Sequence, residues 1–139
     1  MRMLIRVSIL VVALAVTGTP AVARGASDPA TAEPSFAELL ARAQQNMGTD
    51  EGTAYDKVMG RQFESKYTDT VARCVRVAGT PEPEPFQAVI VVEQDGTVSK
   101  VVLDPETEVA KCIRRALLQE TFPEPPFAPF HDLLRLSFE

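Results

Sequence analysis

The chain has 139 residues, 45% hydrophobic and 24% charged, the balance of a foldable globular protein rather than of a disordered tail or a collagen-like repeat. Lys and Arg number 14 against 19 Asp and Glu, a formal net charge of -5, and no basic stripe exists to neutralise a phosphate backbone, so no nucleic acid is expected as a partner. One histidine and two cysteines cannot close a four-ligand structural zinc site without carboxylates and leave little for histidine-centred catalysis; no metal site, no cofactor and no enzymatic activity is expected.

Arg2 and Arg6 precede an apolar run from Val7 to Val16, and Pro20 leads into Ala21, Val22 and Ala23, whose small outer residues suit signal peptidase. Residues 1–23 therefore read as a secretory signal peptide, and the protein as periplasmic or secreted. The run is about half of the ~20 apolar residues a spanning helix needs, and Thr17 to Pro20 break it. No stable membrane insertion is expected after cleavage, the alternative being an uncleaved amphipathic anchor. The first cysteine is Cys74, far from the cut, which argues against a lipoprotein anchor. Cleavage removes two arginines and no acid, moving the net charge from -5 to -7. Residues 24–34, small and polar with Pro29 and Pro34, read as a flexible leader.

A helical extension is expected over 35–79. Ser35 and Glu38 form a capping box ahead of Phe36, Leu39, Leu40 and Ala43, and Gly48 ends this short helix. A longer one restarts at Asp50 to Gly52, with Met59, Phe63, Tyr67, Val71, Cys74 and Ala78 on one stripe, and stops at Gly79. Pro81 to Pro85 (PEPEP) favours polyproline geometry and serves as a stiff spacer, the sharper alternative being a ligand for a proline-recognition domain.

From Phe86 the period becomes two. Phe86 to Glu93 and Val98 to Leu103 read as a hairpin about Asp95-Gly96, and a two-residue turn there pairs Gln94 with Thr97, Val92 with Ser99, Ile90 with Val101 and Ala88 with Leu103. One face is apolar; the other, with Val89, Val91 and Glu93 against Val98, Lys100 and Val102, is mixed, open to solvent at its tip and covered at its base. Asp104 as N-cap with Pro105 at the first position predicts a helix whose apolar side carries Val109, Cys112, Ile113, Ala116 and Leu117. After four prolines, His131 to Glu139 alternates again, with Leu134, Leu136 and Phe138 on one side. The expected fold class is α+β: a small three-stranded sheet built on an antiparallel hairpin, in order 2-1-3, packed against a helix in a two-layer unit over 80–139 and preceded by the helical extension.

In an exported chain with no other cysteine, Cys74 and Cys112 are expected to pair, the alternative being two reduced core cysteines. Such a bridge closes a loop of just under forty residues, worth about 4 kcal/mol by the chain-entropy estimate. Both sulfurs fall on apolar stripes and face inward, which argues against a redox role. His131 and Asp132 are strand neighbours and point to opposite faces, so they form no catalytic pair. Glu82 with Glu84, and Glu106 with Glu108, read as solvated spacer acids and helix-dipole partners.

Residues from about 71 to 138 resemble the TonB C-terminal-like domains, in the cysteine-containing variant of the AgmX/PglI type. The resemblance rests on Cys74 near the end of a preceding helix, the strand and turn QDGTVSKVVL (Gln94 to Leu103), the helix segment CIRRALL (Cys112 to Leu118), FPEPP (Phe122 to Pro126) and the final strand LLRLSF (Leu133 to Phe138). It implies a non-catalytic binding module of the bacterial cell envelope whose last strand recruits a protein or peptide by its open edge, here at Leu133, Leu134, Arg135 and Leu136, the alternative being a plain third strand whose edge is covered by the helix of Phe36 to Met47. The membrane-spanning N-terminus and proline-rich arm of an energy transducer are not matched. The alternative function is a periplasmic inhibitor or immunity-type protein whose acidic surface neutralises an enzyme or toxin.

Overall fold

The computed structural model describes residues 32–138; the expected signal peptide and most of the expected leader lie outside the described residues. Helix α1 spans Phe36–Met47. Its capping box forms as expected: the Ser35 hydroxyl accepts from the Glu38 N–H, and the Glu38 carboxylate accepts from the Ser35 N–H at 2.7 Å. Helix α2 spans Asp50–Ala78, opened by the Thr49 hydroxyl on the Gly52 N–H and closed by left-handed Gly79. The corner between the two helices is tight because Gly52 has no side chain: a Cβ there would lie 1.7 Å from the Asn46 carbonyl oxygen.

Strands β1 (Phe86–Val92), β2 (Val98–Asp104) and β3 (Phe130–Leu136) form one antiparallel sheet in the order β2-β1-β3, with helix α3 (Glu108–Leu117) between β2 and β3 in sequence. The class is α+β, with the strand order expected. Below the hairpin tip the expected register also holds, with Ala88 opposite Leu103 and Ile90 opposite Val101.

The tip differs. Glu93, not Gln94, pairs with Thr97, through the Glu93 N–H on the Thr97 carbonyl, and the Gly96 N–H returns to the Glu93 carbonyl. Gly96 has φ +84, so the turn is a three-residue loop closed by a left-handed glycine. Ser99 is then bulged out, and Val92 faces Val98 in its place. Apolar demand explains the choice: a two-residue turn would put Ser99 on the core face and leave Val98 outside, whereas the bulge buries Val98 to 7% exposure. A second correction concerns α3, which begins at Glu108 with Thr107 as N-cap, its hydroxyl accepting from the Ala110 N–H. Asp104 stays in the ladder opposite Gln87, and the Asp104–Pro105 peptide is cis.

Residues 80–139 form the expected two layers, and α1 of the helical extension adds a third. Phe86, Ala88, Ile90 and Val92 of β1 share one core with α2 and α3 through Tyr55, Met59, Tyr67, Ile113 and Leu117. On the other face Val89 and Leu133 pack against Leu39 and Ala43 of α1, so the mixed face is roofed by a helix. Among the described residues no helix is long and apolar enough to cross a membrane.

Gly96→Ala is expected to destabilise by about 2–3 kcal/mol, because it strains a left-handed residue and sets a Cβ 1.9 Å from the Phe122 carbonyl oxygen. Gly60→Ala, mid-helix with nothing within 4 Å of its Cβ, is expected to stabilise by about 0.5–1 kcal/mol. Urea unfolding of both variants checks the contrast.

Candidate functional site

The corner between α1 and α2 sits astride the outer edge of β3. Asn46, at the end of α1, accepts the His131 backbone N–H on its Oδ1 at 2.8 Å. An antiparallel strand directs alternate amides to alternate sides, so His131, Leu133 and Arg135 are the residues of β3 whose amides point away from β1. The first is occupied by Asn46, and the second leans toward the carboxyl of its neighbour Asp132. The Arg135 amide has no partner among the described residues. The open part of the edge is therefore its C-terminal half.

The four residues expected at the edge divide by face. Leu133 is buried under α1, Leu134 and Leu136 lean into the main core, and only Arg135 is exposed. Beside Arg135 lies a groove of about 760 Å³ between the first turns of α1 and the base of the sheet. Its walls include Phe36, Leu40, Phe86 and Leu136. Asp104, Gln87 and Arg135 stand in one cross-strand row in its lining. Thus the mixed face is open at its base, where cover was expected, because α1 crosses the middle of the sheet. The groove was not legible in the sequence, since it depends on where α1 lies.

On the opposite face β3 carries a buried acid. Asp132 is 5% exposed, and its Oδ1 has no hydrogen-bond partner. Burial, then the neighbouring Asp56 of α2, push the Asp132 carboxyl up to about 8. Burial, then the charge of Asp132, raise the Tyr55 hydroxyl to about 12; it donates to the Pro123 carbonyl at 2.6 Å. A signal for Asp132 was present in its strand parity, which it shares with core-facing Leu134, Leu136 and Phe138.

His131 faces α1 instead, beside Arg42 and Glu93. Burial, then Arg42, lower its imidazole below the ordinary histidine range and keep it neutral. The histidine and the acid are thus on opposite faces, as their adjacency required. Glu106 and Glu108, paired with Arg114 and Lys111, serve α3. Among the described residues no group of three or more His, Cys, Asp or Glu could hold a metal ion.

Cys74 and Cys112 are joined, stapling α2 to α3. Cys74 is buried, and Cys112, half-buried, packs against the same core while bordering a shallow depression with Arg73 and Arg115. Two further ties run parallel to the bridge. Tyr67 donates to Glu120 at 2.9 Å, and Lys66 pairs with the same carboxylate at 3.1 Å.

Because Asp132 holds its proton in the fold, and releases it when unfolded above about pH 4, the folded state binds the extra proton between roughly pH 4 and 8 and its stability falls as pH rises through that window. Wild-type protein is expected to lose more than about 1.4 kcal/mol from pH 5 to pH 8, one unit of displacement being worth that much. Asp132→Asn, neutral throughout, is expected to show a flatter profile and to exceed wild type at pH 8. Equal wild-type urea midpoints at the two pH values would contradict this.

No family model, curated protein or solved structure matches this chain.

Proposed function

We propose that this chain is an exported, disulfide-stabilised protein-interaction module of the bacterial cell envelope, and that it binds a protein or peptide by adding a strand to the open half of β3. One observation carries this reading: the unpartnered Arg135 amide lies against the groove of about 760 Å³. An edge strand offers main-chain hydrogen bonds to a partner, and an adjoining pocket for alternate side chains adds selectivity. Phe36, Leu40 and Leu136 would receive an apolar side chain of the added segment, and Arg135 a carboxylate. The half of the edge beside His131 is unsuited, being held by Asn46.

Export is supported by the signal-like residues 1–23 and by the Cys74–Cys112 bridge, a bond that persists in oxidising compartments. The TonB C-terminal-like resemblance supports the same task, since strand addition at the last strand is how that family recruits peptides. Catalysis has no support in the site, where His131 and Asp132 are divided by the sheet.

Protein recovered from the envelope is expected to begin near Arg24 and, without reductant, to take up no alkylating agent in an intact-mass measurement. Two added alkyl groups, or a retained Met1, would contradict the exported form. For binding, Arg135→Pro removes one outward donor and leaves the β1–β3 ladder whole. The variant is expected to keep its circular dichroism and to bind the captured partner at least tenfold more weakly. Unchanged affinity in the folded variant would eliminate strand addition at this edge.

A further inference from the structure

We infer that the cleft between α2 and β3 is a receptor for a cationic side chain, lysine or arginine, carried by the partner segment that adds to β3. This deepens the reading above and rests on it for the origin of the side chain, but the cleft stands on its own geometry. It measures about 80 Å³ and lies between Asp56, Met59, Gly60 and Phe63 of α2 and Asp132 to Arg135 of β3. That is room for several water-sized groups, an ammonium or guanidinium head included.

Asp132 is buried in its wall with an oxygen that nothing bonds, and half-buried Asp56 stands nearer solvent. An orphaned acceptor in a native interior calls for an explanation. Within the pair a hydrogen bond joins Asp132 to Asp56, and the Leu133 N–H reaches the Asp132 carboxyl; no other group that faces the pair supplies a partner. The Tyr55 hydroxyl is spent on Pro123, and Arg135, which borders the cleft, makes no ion pair with either acid. His131 lies beyond the sheet. Among the described residues the two acids thus face a cavity whose lining includes one cation, Arg135, paired with neither.

The shape also suits a long basic side chain. Met59, Phe63 and Phe122 give apolar walls for methylenes, and at Gly60 there is no side chain to close the rim. Lysine and arginine bury such stems while keeping the charged head at a polar group. A segment paired beside β3 would place alternate side chains on the α2 face, about 5 Å from their neighbours across the pair. The one opposite Leu134, where the open half of the edge begins, overlies the rim of the cleft. The acidic balance of the chain, -5 overall, favours a cationic partner from a distance.

When empty, the pair keeps one proton between two carboxyl groups. On occupation that proton leaves to solvent, and two carboxylates face one ammonium or guanidinium. Binding thus releases a proton and tightens as pH rises toward 8.

The probe is ethylammonium chloride, titrated into the oxidised protein against sodium chloride at equal ionic strength and followed by the ¹³C carboxyl resonances of Asp56 and Asp132. A saturable change at both is expected, with the proton affinity of Asp132 lowered at least tenfold, and Asp56→Asn is expected to weaken the response at least tenfold. An identical change with sodium, no saturable change, or an undiminished response in Asp56→Asn overturns the receptor. The partner affinity of Arg135→Pro, set beside ethylammonium binding by the unsubstituted protein, separates the two readings. If the substitution leaves partner affinity unchanged while ethylammonium binds, strand addition fails and with it the assignment of the cation to an added strand. If it weakens the partner while ethylammonium does not bind, only the cleft fails.

Discussion

All of β1 except Gln87 is buried, toward both faces of a sheet only three strands wide, so the sheet has to be roofed twice. The hairpin and α3 roof one face only with the help of α2, which brings Tyr55, Met59, Tyr67 and Cys74 to the same core as Ile113 and Leu117. The second roof is α1, whose Leu39 and Ala43 close over Val89 and Leu133. Two helices adjacent in sequence must therefore reach opposite faces, and the chain passes from one to the other around β3. The corner at Gly52, the Asn46 contact and the half-open edge all follow from that passage.

A long helix held only by its apolar stripe could slide along the sheet, and α2 is pinned at intervals. The Tyr55 hydroxyl holds its first turns to Pro123, Gln62 and Lys66 reach Glu120 at its middle, and Cys74 is bonded to Cys112 near its end. Glu120 collects the central ties. Burial works against its charge, but hydrogen bonds from Lys66, Tyr67 and the Thr121 amide outweigh this and hold its carboxyl below the usual range. These ties fix α2 against α3 and the segment that follows it, residues 120–123.

Local chemistry was legible in the sequence wherever one residue type satisfies one requirement. The Ser35–Glu38 box, the stop at Gly79, the α3 stripe and the 2-1-3 order depend on capping, left-handed glycine, helical period and crossover hand. The hairpin tip was not, because Ser99 and Val98 compete for one position and only the packed core decides between them. Asp104 and Thr107 are both good caps, and the extra ladder pair with Gln87 selected the second. The third layer was hidden in β1 itself, where Val89 and Val91 put a buried apolar patch in the middle of the mixed face. Of the site, Arg135 as the outward residue of β3 followed from alternation alone. The acid pair needed Asp56 and Asp132, distant in sequence, to meet across α2 and β3.

The Asn46 side chain on the His131 amide has a counterpart at the far side of the sheet, where Thr121 bridges Thr97 beside the tip of β2 and the Phe122 N–H donates to the Gly96 carbonyl. Each outer strand is thus plugged at one end. A small sheet with two bare edges is a monomer ready to polymerise, since each copy offers what the next one lacks. With a plug on both flanks, full-length pairing of one copy on another is blocked, and stacking into a filament has no continuous ladder to follow. Even at high concentration, two copies have no full-length ladder to share between their edges.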